Sequence, residues 1–153
     1  MLQDWFPLIL FAMHFPVLLI HEYGHAFAGR LVGTKMTGIY VGEGKPIISI
    51  GHVHWSPRQF WMGRYTYKEQ KLTWGQRVLL SSGGVVANLV TGLILWALAL
   101  LNPEWFAGVF TSAFVTMSFI FVIVNLLPRK WSNGLKSDGL NLKELWQARA
   151  AEK

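Results

Sequence analysis

The chain has no cysteine. Disulfides and thiolate metal sites are therefore excluded, and any metal must be held by His, Asp, Glu or water. Charge is also scarce. Asp, Glu, Lys and Arg make up 14% of the 153 residues, against about 25% in soluble domains. Apolar residues reach 52%, an imbalance that suits lipid better than water. No internal repeat and no low-complexity tract interrupts the chain. Its length suits one domain, read here as a single membrane-embedded unit over 1–153 with no appended regulatory domain.

Three stretches are long and apolar enough to span a bilayer, at about 5–33, 78–101 and 106–127. The first has no Lys or Arg before its apolar run and no small-residue cleavage pattern after it, so it reads as a retained helix rather than a signal peptide. Asp4 is its expected N-cap and Pro7 falls in its first turn. Pro16 is expected to kink it. Only Asn102, Pro103, Glu104 and Trp105 separate the second and third stretches, which predicts a tight turn and antiparallel packing. The fold class expected is thus mainly α and polytopic: a core of three membrane helices.

Basic residues are missing from two places, the N-terminus and the 102–105 turn. All 14 lie either in or beside the 34–77 loop or in the 128–153 tail. The positive-inside rule then places the N-terminus outside and both loop and tail in the cytoplasm of a cell membrane, the bacterial inner membrane on this reading. Trp5, Trp105 and Trp131 fall where interface anchors are expected. A net charge of +6 spread over two segments records orientation and gives no nucleic-acid surface. In the loop, KMTGIYV and PIISIGHVHW are short β-branched runs separated by GEGK. They predict a small sheet or hairpin near the membrane surface. From Asn141 the tail reads as a weakly amphipathic surface helix.

Against this apolar background stands PVLLIHEYGHAFAGRL. His21 and His25 are four apart, so on a helix both imidazoles reach one ion. Glu22 projects about 100° away, placed to touch a metal-bound water. This HExxH pattern offers two ligands and a general base. Ionisable groups in a spanning helix cost about 2.5–3.5 kcal/mol each, which makes them functional candidates. His25 lies roughly 7–8 Å along the axis from Arg30, near the cytoplasmic end of the span.

Zinc hydrolases use a third protein ligand and leave a fourth position open. Glu43 sits in a Gly-rich turn. His52 and His54 share one face of an expected strand, where an exposed polar face is the plainer reading. Asp138 follows the third span in NLLPRKWSNGLKSDGL, with Pro128 and Gly134 able to turn the chain back. It is also an ordinary turn Asp before Gly139. Residue types alone put Asp138 only slightly ahead.

His21-Glu22-Tyr23-Gly24-His25 at the end of a span, followed by Asn125-Leu126-Leu127-Pro128 and then Asp138-Gly139, resembles the site-2 proteases, which are intramembrane zinc metalloproteases. Gly83-Gly84-Val85-Val86-Ala87-Asn88 is similar to that family's small-residue segment, whose Asn lies near the active site. The resemblance implies one Zn2+ held by His21, His25 and Asp138, with Glu22 as catalytic base. It covers most of the chain. One departure is plain: nine residues, RKWSNGLKS, separate Pro128 from Asp138, where the family places only a few.

The function expected is hydrolysis of a peptide bond in or near a membrane span of a membrane-anchored protein or peptide. Asn125 and Asn88 are candidate oxyanion donors, or interhelical hydrogen-bonding groups. An edge strand from the 37–55 region is expected to hold the unwound substrate. Two other readings are a non-catalytic membrane scaffold that keeps the fold and metal, and a proton or metal transporter. An intact HExxH argues against the first, and three spans leave little room for the pathway of the second.

Overall fold

A computed structural model describes residues 3–106 and 108–151. A short 3-10 turn, Gln3–Trp5, leads into helix α1 (Phe6–Leu31). The N-cap is Trp5 without a side-chain bond, not Asp4, because the 3-10 turn moves the helix start past Asp4. Pro7 lies in the first turn, where its missing N–H costs nothing. The helix runs on through Pro16. It stops at Val32 and Gly33, the latter at φ +80°, a conformation that suits glycine.

The sheet follows as β1 (Met36–Glu43), β2 (Ile48–Ile50), β3 (Val53–Trp55) and β4 (Arg58–Tyr67). Strand order is β2-β3-β1-β4, with β1 parallel to β3 and antiparallel to β4. The 37–55 region therefore supplies only β2 as a free edge; β1 is interior, and the other edge is β4. That strand carries no clear sequence signal, since Gly63 interrupts it.

Helix α2 (Trp74–Leu101) opens four residues before the apolar run, because Thr73 and Gln76 form a capping box. A short helix, α3 (Pro103–Phe106), replaces the expected bare turn before α4 (Val109–Leu126). Leu127 is extended, as the residue before Pro128 must be. Helix α5 (Asp138–Ala151) closes the described chain, starting three residues before the expected tail helix.

Helices α1, α2 and α4 are long and apolar enough to cross a membrane, and they pack on one another. Only 22–28% of each span's apolar window is buried inside the protein, so most of that surface must face lipid. Small residues bring α1 and α2 close: a Cβ added at Gly83 would lie 2.6 Å from the Gly24 carbonyl oxygen. The core joins bundle and sheet. Val17 and Leu18 of α1, Val41 of β1, and Met117 and Phe121 of α4 form one buried cluster, with Trp55 packed against it. The sheet is thus docked on the bundle by its inner face, where Ile39 and Val41 are fully buried.

Candidate metal centre

One turn beyond Val17 and Leu18, the same face of α1 carries His21 and Glu22, both 4% exposed. His21 Nε2 lies 3.2 Å from His25 Nε2. Helix α2 supplies what holds the rings. The carbonyl oxygen of Leu80 is 2.8 Å from His25 Nδ1, and the Asn88 side-chain amide is 3.3 Å from His21 Nδ1. Between them on that face, Gly84 leaves room for the imidazoles: a Cβ there would sit 2.6 Å from both Nε2 atoms.

Asp138 reaches this pair from the first turn of α5. His21 Nε2 is 3.3 Å from its Oδ2, and His25 Nε2 is 3.3 Å from its Oδ1. The nine intervening residues do not stand in the way, because they loop out on themselves. Lys130 and Lys136 form an antiparallel bridge. Trp131 N–H donates to the Leu135 carbonyl, and Ser137 N–H donates to the Arg129 carbonyl. The Ser137 hydroxyl seals the neck. It donates to the Leu127 carbonyl at 2.6 Å and accepts from the N–H groups of Arg129 and Leu140. The last of these caps α5. Gly139 then lies against the Leu126 carbonyl, where any Cβ would overlap it. A long spacing in sequence thus becomes a short one in space.

Do these groups fit a metal? A carbonyl oxygen can only accept, so His25 Nδ1 carries the hydrogen. As a metal ligand the ring would be neutral, turning a lone pair from Nε2 toward His21 and Asp138. Asp138 Oδ2 is buried with no hydrogen-bond donor. A cluster of acceptors facing one another calls for a cation. Four-coordinate zinc with bonds of about 2.0–2.1 Å needs ligand atoms about 3.3–3.4 Å apart; the two Nε2 atoms are 3.2 Å apart, and each lies 3.3 Å from a different oxygen of the Asp138 carboxylate. Metal ligands bind deprotonated, so Asp138 would be the anionic member of the set beside two neutral imidazoles. Asn88 Oδ1 is likewise buried without a donor. Turning that amide by 180° sets Oδ1 against the Nδ1–H that a metal on Nε2 would require, which settles both groups.

Glu22 sits beside the cluster with β4 across from it. The Cβ position of Gly63 is filled by the Glu22 carboxylate, which is why that strand carries a glycine there. Glu22, the three metal-ligand candidates, the β4 segment Trp61–Tyr65 and α4 residues including Met117, Phe121 and Asn125 line one cleft of about 1110 Å³.

The other candidates fall elsewhere. Asn125 lines the cleft, but one N–H of its amide donates to the Phe121 carbonyl. Glu43 pairs with Arg58 at 3.9 Å. His54 bonds Ser49 and stacks on Tyr40, and the His52 carbonyl accepts from Ile39. Among the described residues, the His21, His25 and Asp138 group is the one that could hold a metal. The sequence reading missed Ser137 and β4, and it took Gly84 only as part of a small-residue segment. Strand β4 left a trace there as the aromatic-rich run FWMGRYTY.

A sequence model described as Peptidase family M50 matches residues 9–109. That stretch contains HExxH and Gly83–Asn88 but ends before Asp138. The chain is also similar to "Uncharacterized membrane protein YwmF" of Bacillus subtilis (strain 168), with 30% identity over 125 residues, 81% of this chain and 77% of that protein.

Proposed function

The chain belongs to peptidase family M50, and from that premise we propose that it is an intramembrane zinc metalloprotease. Its substrate would be a peptide bond in or near the span of a membrane-anchored protein or peptide. The observation that carries the reading is the convergence of His21 Nε2, His25 Nε2 and the two Asp138 carboxylate oxygens, with contacts of 3.2–3.3 Å, beside a buried Glu22 in an open cleft.

His21, His25 and Asp138 would hold one zinc ion. The ion would lower the pKa of a bound water toward about 7 and polarise the scissile carbonyl. Glu22 takes a proton from the attacking water as its oxygen bonds the carbonyl carbon. It then gives the proton to the nitrogen as the C–N bond breaks. Asn125 keeps one amide hydrogen beyond its bond to Phe121 and donates it to the developing oxyanion. Asn88 is fully buried against His21 and orients that ring.

A peptide bond inside a helix is shielded by its own hydrogen bonds, so the substrate must unwind. The free edge of β4 lines the cleft and holds the unwound segment by strand addition. The distribution of basic residues supports an N-terminus outside, with the 34–77 loop and the tail in the cytoplasm. No nucleic-acid partner is proposed.

The test is the purified protein in detergent or vesicles, assayed for bound zinc and for cleavage of single-span peptides. One zinc per chain is expected. Glu22→Gln should keep that zinc and lose at least about a hundredfold in cleavage rate. Cleavage by Glu22→Gln at the unaltered rate would rule out the base. Zinc without cleavage in the unaltered chain would favour a non-catalytic scaffold.

A further inference from the structure

The 129–137 insert poses a question that the metal centre does not answer. Its neck closes on itself through the Ser137 N–H to Arg129 carbonyl bond at 2.9 Å and through the Ser137 hydroxyl. Asp138 is therefore positioned by Ser137 and Gly139, and the residues between 129 and 137 contribute nothing to the ligand set. Yet the insert is not idle in solvent.

The hairpin is tied to the sheet at its tip and lines the cleft along its arms. The Asn133 amide donates to Gln59 Oε1 at 3.2 Å and to Met62 Sδ at 3.6 Å, tying the tip to the first half of edge strand β4. Gln59 holds φ at +50°, a costly conformation for a residue with a side chain, so the tie is made at a strained position. Trp131 and Leu135 line the cleft that holds the metal ligands and Glu22. The guanidinium of Arg129 lies 4.9 Å from the centre of the Trp131 ring and braces it.

We propose that this hairpin is the substrate-selecting wall of the cleft. Resting on the proteolytic reading above, it stands opposite the substrate strand that adds to β4. Its occupant is an extended apolar peptide segment. Trp131 and Leu135 grip aliphatic side chains near the scissile bond, and Asn133 sets the width of the slot. The metal centre supplies the chemistry and the hairpin supplies the choice, which is why the hairpin can be an insertion without cost to the ligands.

The sealed neck makes the experiment direct. In one variant residues 130–136 are deleted and Gly-Gly is put in their place, a two-residue turn that keeps the Ser137 N–H to Arg129 carbonyl bond; in a second, Trp131→Ala leaves the hairpin in place. Each is assayed for zinc content and for cleavage of two single-span peptides that differ only in carrying Leu or Ala beside the scissile bond. The unaltered chain should favour the Leu peptide. Both variants should keep one zinc, and the preference should fall about tenfold, toward unity, the scale expected for a side chain's worth of apolar contact. Retention of the same two peptides by zinc-loaded Glu22→Gln, with and without Trp131→Ala, reads the wall without turnover. A wall that selects gives the same loss of preference in binding even if the proteolytic reading fails. Variants that hold zinc and rank the peptides as the unaltered chain does, or an unaltered chain that neither cleaves nor retains either peptide, would overturn the proposal. Loss of zinc on deletion would overturn the independence of neck and tip, and Trp131→Ala alone would then decide selection.

Discussion

The two halves of the candidate metal centre are built by different physics. His21 and His25 lie one turn apart on a single helix, so α1 alone brings their rings together. Asp138 comes from the far end of the chain. It depends on the Ser137 hydroxyl, the close approach of Gly139 to Leu126, and the docking of α5. The first half is a matter of helical period, and the second exists only when the whole molecule is assembled. The difference teaches where the centre is robust. Changes around the histidines are felt through the ligands themselves, whereas the carboxylate can be lost through residues that never touch a metal.

The comparison can be broken outright at the helical half. His25→Ala should reduce bound zinc from one per chain to nearly none, measured by elemental analysis of purified protein. Asp138→Asn keeps the shape but removes the anion. Zinc affinity should fall by more than the roughly 10–100-fold that loss of an outer partner costs, read by competition with a chelator. If zinc held as tightly without the carboxylate, the distant half would be no ligand.

Gly139→Ala sharpens the contrast further, since its methyl group meets backbone rather than a flexible side chain. We expect α5 to be pushed away and zinc affinity to drop nearly as far as in Asp138→Asn, with the helical content of the three spans kept in circular dichroism. Ser137→Ala should cost about 10–100-fold in zinc affinity, and Ser137→Thr should restore most of it because the hydroxyl returns. Equal losses in both Ser137 variants would mean that volume, not hydrogen bonding, holds the neck. The smallest effect belongs to Lys136→Ala. Its ion pair with Glu144 at 2.6 Å is solvent-exposed, so stability should change by less than about 1 kcal/mol and zinc affinity not at all.

Particular residues show how far the sequence could be read. HExxH was legible because helical period alone converts a spacing of four into a shared face. The spans were legible because lipid demands long apolar runs, although capping by Thr73 moved the start of α2 and the 3-10 turn removed Asp4 from the cap. Strand β4 was missed because Gly63 weakens the local pattern, and the reason for that glycine is Glu22, a residue far away in sequence. The insert looked like an obstacle to Asp138 because a linear count cannot see a loop that closes at its own neck.

Sequence alone determined the three membrane helices, the paired imidazoles and the exclusion of thiolate chemistry, since each follows from composition or from a period of a few residues. Tertiary structure decided the approach of Asp138 to the imidazoles, the strand that walls the cleft and the place of the insert. Those depend on which backbones approach within a few ångströms, and such approaches are settled by glycines and hydrogen bonds between segments that the sequence keeps far apart.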